Sequence, residues 1–159
     1  MKAKKIVFLI LSLVFAYILT LNSTQAGNKS PETIKWYSYE EGLAKASKDQ
    51  KKIFLSFYAD WCYYCKKLDK DTFSDSSVIS YLQENFISIK VNGDNEKKIA
   101  SQFKIRAYPS LWFLKDNGEK INSYPGYLSA DKFVLVLKYI NTDSFKTMSF
   151  NDFLSSQEP

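Results

Sequence analysis

The chain of 159 residues has no histidine. That absence removes the commonest general base and a leading metal ligand, so Ser–His triads, zinc proteases and most transition-metal sites are excluded. Cysteine is nearly as scarce: the sequence has two, Cys62 and Cys65. A zinc site built on that pair would lack its other two ligands, so no metal is expected. No cysteine follows the N-terminal apolar stretch, which excludes a lipid-modified cysteine there, and the sequence shows neither an internal repeat nor an obvious dimerisation domain. A strong excess of one charge is also missing. The formal net charge is +5, but Lys2, Lys4 and Lys5 lie in a leader-like segment, and without them 19 basic residues face 17 acidic ones, a balance of +2. So small an excess gives no reason to expect nucleic acid or another polyanion as partner. The chemistry is left to cysteine or carboxylate.

Apolar residues make up 45% of the chain and aromatics 16%, including twelve Phe, eleven Tyr and three Trp. This is enough bulky material for one globular domain at this length. Residues 1–26 have the layout of a secretory signal: a lysine-bearing start, the apolar stretch Ile6 to Leu21, and the small-residue site Thr24-Gln25-Ala26. An uncleaved membrane anchor is the rival reading, although the 16-residue stretch is shorter than the ~20 residues that span a bilayer. Either reading places the domain in the periplasm or otherwise outside the cytoplasm, where a disulfide can persist. Residues 27–33 are polar, contain Pro31 and read as a linker.

The two cysteines lie within Trp61-Cys62-Tyr63-Tyr64-Cys65. Before them, Ile53 to Tyr58 is an apolar and aromatic run that suits a buried strand, and Cys62 to Lys70 is expected to form a helix with Cys62 in its first turn. Unpaired backbone N–H groups and the positive end of the helix dipole would then favour a thiolate at Cys62. Residues at i and i+3 share a helix face, so Cys65 can close on Cys62. A bridge closing so short a loop constrains the unfolded chain little, which argues for a redox role over a structural one.

The remaining elements follow from pattern and turn signals. Ile34 to Tyr37 reads as a short strand, and Ser38-Tyr39-Glu40-Glu41 has capping-box spacing before a helix over Tyr39 to Lys48. Val78, Ile79, Leu82 and Phe86 recur at helical spacing, and Phe86 to Val91 reads as a second central strand. A helix is expected over Glu96 to Phe103. Ser110 to Leu114 and Lys120 to Tyr124 flank Asp116-Asn117-Gly118, a hairpin signal. Ser129 is positioned to cap a last helix, Ala130 to Ile140, and residues 141–159 form a C-terminal extension in which Ser149 to Asp152 can start a short helix. Strands alternating with helices in this way predict an α/β fold, with a central mixed sheet, helices on both faces and an antiparallel hairpin at one side.

Four ordered features of residues 34–140 resemble the thioredoxin superfamily. They are Ala59-Asp60-Trp61-Cys62-Tyr63-Tyr64-Cys65-Lys66 after a buried strand, Lys90-Val91-Asn92 ending the next strand, Ile105-Arg106-Ala107-Tyr108-Pro109-Ser110, and Gly126 after the hairpin. Tyr58 to Cys62 and Asp71-Thr72-Phe73-Ser74-Asp75 look most like the periplasmic C-terminal domain of the transmembrane thiol reductase DsbD and related secreted proteins. The resemblance implies a thioredoxin-like fold and a thiol–disulfide oxidoreductase with Cys62 and Cys65 catalytic. It further implies that Pro109 is cis, with Trp61, Tyr63, Tyr64, Tyr108 and Pro109 contacting substrate. Asp60 and Lys90 are either solvated charges or tune proton transfer at the sulfurs. Trp61 is either plain core or a shield for the nucleophile, and Pro109 and Gly126 have ordinary turn readings as well.

One position departs from the family. Six residues before the first cysteine the family often carries a buried acid, and here the residue is Ser56. Water, Lys90 or Asp60 would have to take the Cys65 proton. Tyr63 and Tyr64 place no cation between the cysteines, which favours a reductase, against a modest counterweight from Lys66 and Lys67. No bound cofactor is implied beyond the Cys62–Cys65 disulfide. The implied partners of what is expected to be a monomer are disulfide-containing envelope proteins and a membrane thiol-electron donor. An oxidase or isomerase, or a non-catalytic peptide-binding module, are the competing functions.

Overall fold

In the computed structural model, which describes residues 33–157, the ten elements expected from pattern form in the expected order. The leader-like segment 1–26 and the linker up to residue 32 lie outside the described residues. The strands are β1 (Trp36–Tyr37), β2 (Lys52–Tyr58), β3 (Phe86–Asn92), β4 (Ser110–Leu114) and β5 (Lys120–Pro125). The helices are α1 (Tyr39–Asp49), α2 (Tyr63–Asp71), α3 (Ser76–Asn85), α4 (Lys97–Gln102), α5 (Ala130–Asn141) and α6 (Phe150–Gln157). The five strands make one mixed sheet in the order β1-β3-β2-β4-β5. The first three strands in that order run parallel, and β4 and β5 are antiparallel additions.

The period of two along β2 divides the core. Phe54 points to a face covered by α2, α3, α5 and α6, where it meets Trp36, Phe73, Phe113 and Phe133 at ring separations of 5.0–6.0 Å. Ile53, Leu55 and Phe57 point to the other face, against Ala46 of α1 and Ala100 of α4. The sheet is thus buried on both faces, which is why its central strands read as near-continuous apolar runs.

Local signals fix the helix ends. The Glu41 carboxylate accepts from both the Ser38 backbone N–H (3.4 Å) and the Ser38 hydroxyl (2.8 Å) at the start of α1. Asp75 caps α3 by accepting from the Ser77 and Val78 backbone N–H groups at 2.9 and 3.2 Å. Ser129 precedes α5 without a side-chain capping bond, so its hydroxyl does not play the expected role. Among the described residues no helix is long and apolar enough to cross a membrane.

Candidate active site

The end of β2 delivers the cysteines to the start of α2. The expected helix was one residue too early, because Cys62 is the N-cap, with extended backbone, and the helix proper begins at Tyr63. A cap keeps its own side chain free to accept a first-turn N–H, and Cys62 Sγ accepts from the Cys65 backbone N–H at 3.0 Å. Cys62 and Cys65 are joined by a disulfide with their Cα atoms 5.3 Å apart. Each is about 4% exposed, packed with Ala59 against Tyr58 and Tyr108.

The Tyr108–Pro109 peptide is cis, and Pro109 is buried. The Pro109 carbonyl accepts from the Gly126 N–H at 2.8 Å, with Gly126 at φ +87°. This region where L side chains are strained accounts for the glycine after the hairpin. Burial, and secondarily the Asp94 carboxylate, raise the Tyr108 phenol above the usual tyrosine range.

Around the buried disulfide the surface is aromatic. Trp61, Tyr63 and Tyr64 are 70%, 71% and 57% exposed, so the core reading of Trp61 is wrong. Its indole is nevertheless fixed. Nε1–H donates to Asp94 Oδ2 at 2.8 Å, and the ring meets Tyr108 edge-on at 5.9 Å. The loop carrying Asp94 is itself held by Asn92, whose Oδ1 accepts from the Asp94 and Asn95 N–H groups while its Nδ2 donates to Asp60 Oδ2 at 3.1 Å. Asp60, Asn92, Asp94 and Trp61 thus form one chain of contacts at the rim. Sequence reasoning missed Asn92 and Asp94 as site residues. Their setting, Asn92-Gly93-Asp94-Asn95, carries a strong turn signal that masks any further role.

The two candidate tuning residues, Asp60 and Lys90, both have other partners, Asp60 in the Asn92 amide. Lys90 Nζ pairs with Asp69 Oδ1 at 2.6 Å and lies over the rings of Trp36 and Tyr58. In the sheet register it lies opposite Ser56, which is buried in the position where the family often has an acid. Lys67 pairs with Asp71, which compensates part of the positive charge beside the cysteines. Among the described residues no cluster of three or more Cys, Asp or Glu is arranged to hold a metal.

A disulfide capping a helix N-terminus, beneath an aromatic rim and beside a cis-proline loop, is the constellation of the thioredoxin-fold thiol–disulfide oxidoreductases. The comparisons agree: a thioredoxin-like domain model matches residues 39–141, and the chain belongs to that family. Over 103 residues it is 30% identical to a thiol:disulfide interchange protein DsbD of Photorhabdus laumondii, matching 62% of this chain and 18% of that one. Over 88 residues it is 35% identical to a protein disulfide-isomerase of Datisca glomerata, matching 54% of this chain and 17% of that one. The chain therefore spans less than a fifth of these relatives. Among solved structures, the DsbH oxidoreductase superposes with a TM-score of 0.65 at 20% identity, covering 76% of this chain and 93% of that one. The reduced C-terminal domain of DsbD from Neisseria meningitidis gives 0.54 at 24% identity, covering 64% and 92%.

Proposed function

We propose that this protein reduces disulfides in proteins of the cell envelope, with Cys62 as nucleophile and Cys65 as resolving cysteine. The observation that carries the reading is the capping bond. In the reduced protein, a Cys62 thiolate in the same place would accept the Cys65 N–H as a charge-assisted hydrogen bond, aided by the helix dipole, and so ionise more readily than a free thiol. That thiolate attacks one sulfur of the substrate disulfide, forming a mixed disulfide and expelling the other sulfur as a thiolate. Cys65 loses its proton and attacks Cys62 Sγ, which releases the reduced substrate and leaves the Cys62–Cys65 disulfide. Two electrons move from the protein to the substrate, and no bound cofactor takes part.

The Tyr108–Pro109 backbone holds the extended substrate, with Trp61, Tyr63 and Tyr64 contacting its flanks. A membrane thiol donor then restores the dithiol. Similarity to DsbD and the leader-like segment support an extracytoplasmic setting. The uncharged pair Tyr63-Tyr64 and the Lys67–Asp71 pairing support the reducing direction, since no free cation stands between the cysteines to hold the thiolate as strong oxidants do.

The test is the equilibrium potential of the Cys62–Cys65 couple against glutathione and dithiothreitol. A value near about −270 mV is expected; one near about −120 mV would make the protein an oxidant, and one below about −300 mV would make the bridge structural. In cells, Cys65→Ser is expected to accumulate a mixed disulfide with its substrate, and Cys62→Ser to accumulate none. Recovery of equal adducts from both variants would remove Cys62 from the nucleophile's role.

A further inference from the structure

An open groove of about 520 Å³ runs from Tyr108 along the loop that precedes Pro109. Its charged lining is uneven: Lys97, Lys104 and Arg106 face one carboxylate, Asp94, whose Oδ2 accepts from the Trp61 indole. All three cations are exposed, and among the described residues none of them forms an ion pair or a side-chain hydrogen bond. The lysines on other surfaces include six that are paired, at positions 45, 52, 67, 90, 115 and 146. Other lysines, among them Lys48, Lys66, Lys132 and Lys138, are unpaired as well, but this groove sets three unpaired cations against a single carboxylate that is already engaged by Trp61, a local positive excess on a chain whose overall balance without its leader-like lysines is +2.

We propose that this groove docks an acidic segment of the disulfide-bearing protein substrate, with its carboxylates two to five residues to one side of the cysteine that Cys62 attacks. The inference rests on the reductase reading, because the Tyr108 backbone sets the register. Arg106 and Lys104 lie two and four residues before Tyr108. The protein's own segment is irregular there, with Lys104 in a turn at φ +53°, so no residue-by-residue match is implied; a substrate strand held at Tyr108 advances ~3.3 Å per residue and carries side chains a few residues further on over the groove. Continuity of the groove with the Tyr108 edge puts its occupant on the same polypeptide as the disulfide, and the small overall charge gives no general attraction for polyanions that would favour nucleic acid or an anionic membrane. Charge at such a rim changes capture of the substrate more than the exchange chemistry.

The experiment follows the reduced protein in stopped flow with three oxidants: a disulfide peptide flanked by Glu, the same peptide flanked by Lys, and uncharged bis(2-hydroxyethyl) disulfide. The Glu peptide is expected to react roughly tenfold faster than the Lys peptide at low salt, with the ratio shrinking as ionic strength rises. Arg106→Glu or Lys104→Glu should each lower that ratio by about two- to fivefold, and the triple reversal with Lys97→Glu should invert it. Rates with the uncharged disulfide should stay within about twofold across the variants. Equal rates for the two peptides, or a preference that survives the triple reversal, would overturn the proposal while leaving the reductase reading in place. No reaction of the wild-type protein with the uncharged disulfide would overturn that reading and the groove's role with it.

Discussion

Gly93 has no room for a side chain. A Cβ built there would lie 2.0 Å from Tyr108 Oη and 2.7 Å from Tyr108 Cζ, while its own N–H is fixed to the Tyr58 carbonyl at 2.9 Å. The backbone cannot retreat, so the Tyr108 ring must move, and Trp61 rests edge-on against that ring. Gly93→Ala is therefore expected to cost about 1–3 kcal/mol in urea unfolding, as an overpacked site does, and to shift the Trp61 indole N–H resonance. Replacing Tyr108 with Leu should lower that cost, giving a coupling of about 0.5 kcal/mol or more between the two positions. A Gly93→Ala protein of unchanged stability with an unmoved indole resonance would show that the rim is not packed in this way. None of this could be read from the sequence, where Asn92-Gly93-Asp94-Asn95 is a turn and nothing more; the closeness of Gly93 to Tyr108 joins segments fifteen residues apart.

Helix ends, by contrast, were legible because capping is local. The residues that set them lie within four positions of what they cap: the expected Ser38–Glu41 signal forms and the expected Ser129 cap does not, while Asp75 caps α3. Cys62 was placed one residue inside its helix because cysteine is an uncommon cap, and the cap geometry is also what gives its sulfur the Cys65 N–H. Asp75 offers a test at this scale. Its carboxylate is held below the usual range chiefly by the Ser77 hydroxyl, against the opposing effect of burial, with the Val78 and Ser77 backbone N–H groups adding to the lowering. Asp75→Ala should remove about 1 kcal/mol at pH 7, and Asp75→Asn much less. Because the folded-state pKa is depressed, the stabilisation is fully present above the ordinary carboxyl value of ~3.9 and is lost as pH falls through the lower folded value. The wild-type and Ala stabilities should therefore converge only below about pH 4. A gap that stayed constant down to pH 2 would assign the cap's effect to something other than its charge.

At the scale of the molecule, the alternating elements and the hairpin signal fixed a mixed sheet covered on both faces, since each apolar run had to be buried on one side or both. The basic groove was not legible, because it is assembled from a strand-end loop, α4 and the segment before Pro109, whose convergence depends on the whole topology. The C-terminal extension lay between these cases: its helical pattern was visible, but not what it would pack on. In the fold, Phe150 and Phe153 of α6 each lie 5.3 Å from the Tyr139 ring, Phe150 also meets Tyr124 at 6.2 Å, and the Tyr139 hydroxyl donates to the Met148 carbonyl at 2.7 Å. Phe153 is 6% exposed, so Phe153→Ala should leave a cavity and cost about 3–5 kcal/mol. These ring contacts are all to β5 and α5 and none is to the cysteine motif, so oxidised and reduced protein should lose stability equally. The reduction potential of Phe153→Ala should then stay within about 15 mV of wild type, since 30 mV corresponds to about 1.4 kcal/mol between the two redox states. Parallel urea titrations of both redox forms, with the potential measured alongside, check this: a shift of about 30 mV or more would show that the extension is coupled to the disulfide, and a loss below about 1 kcal/mol would show that α6 is not part of the core.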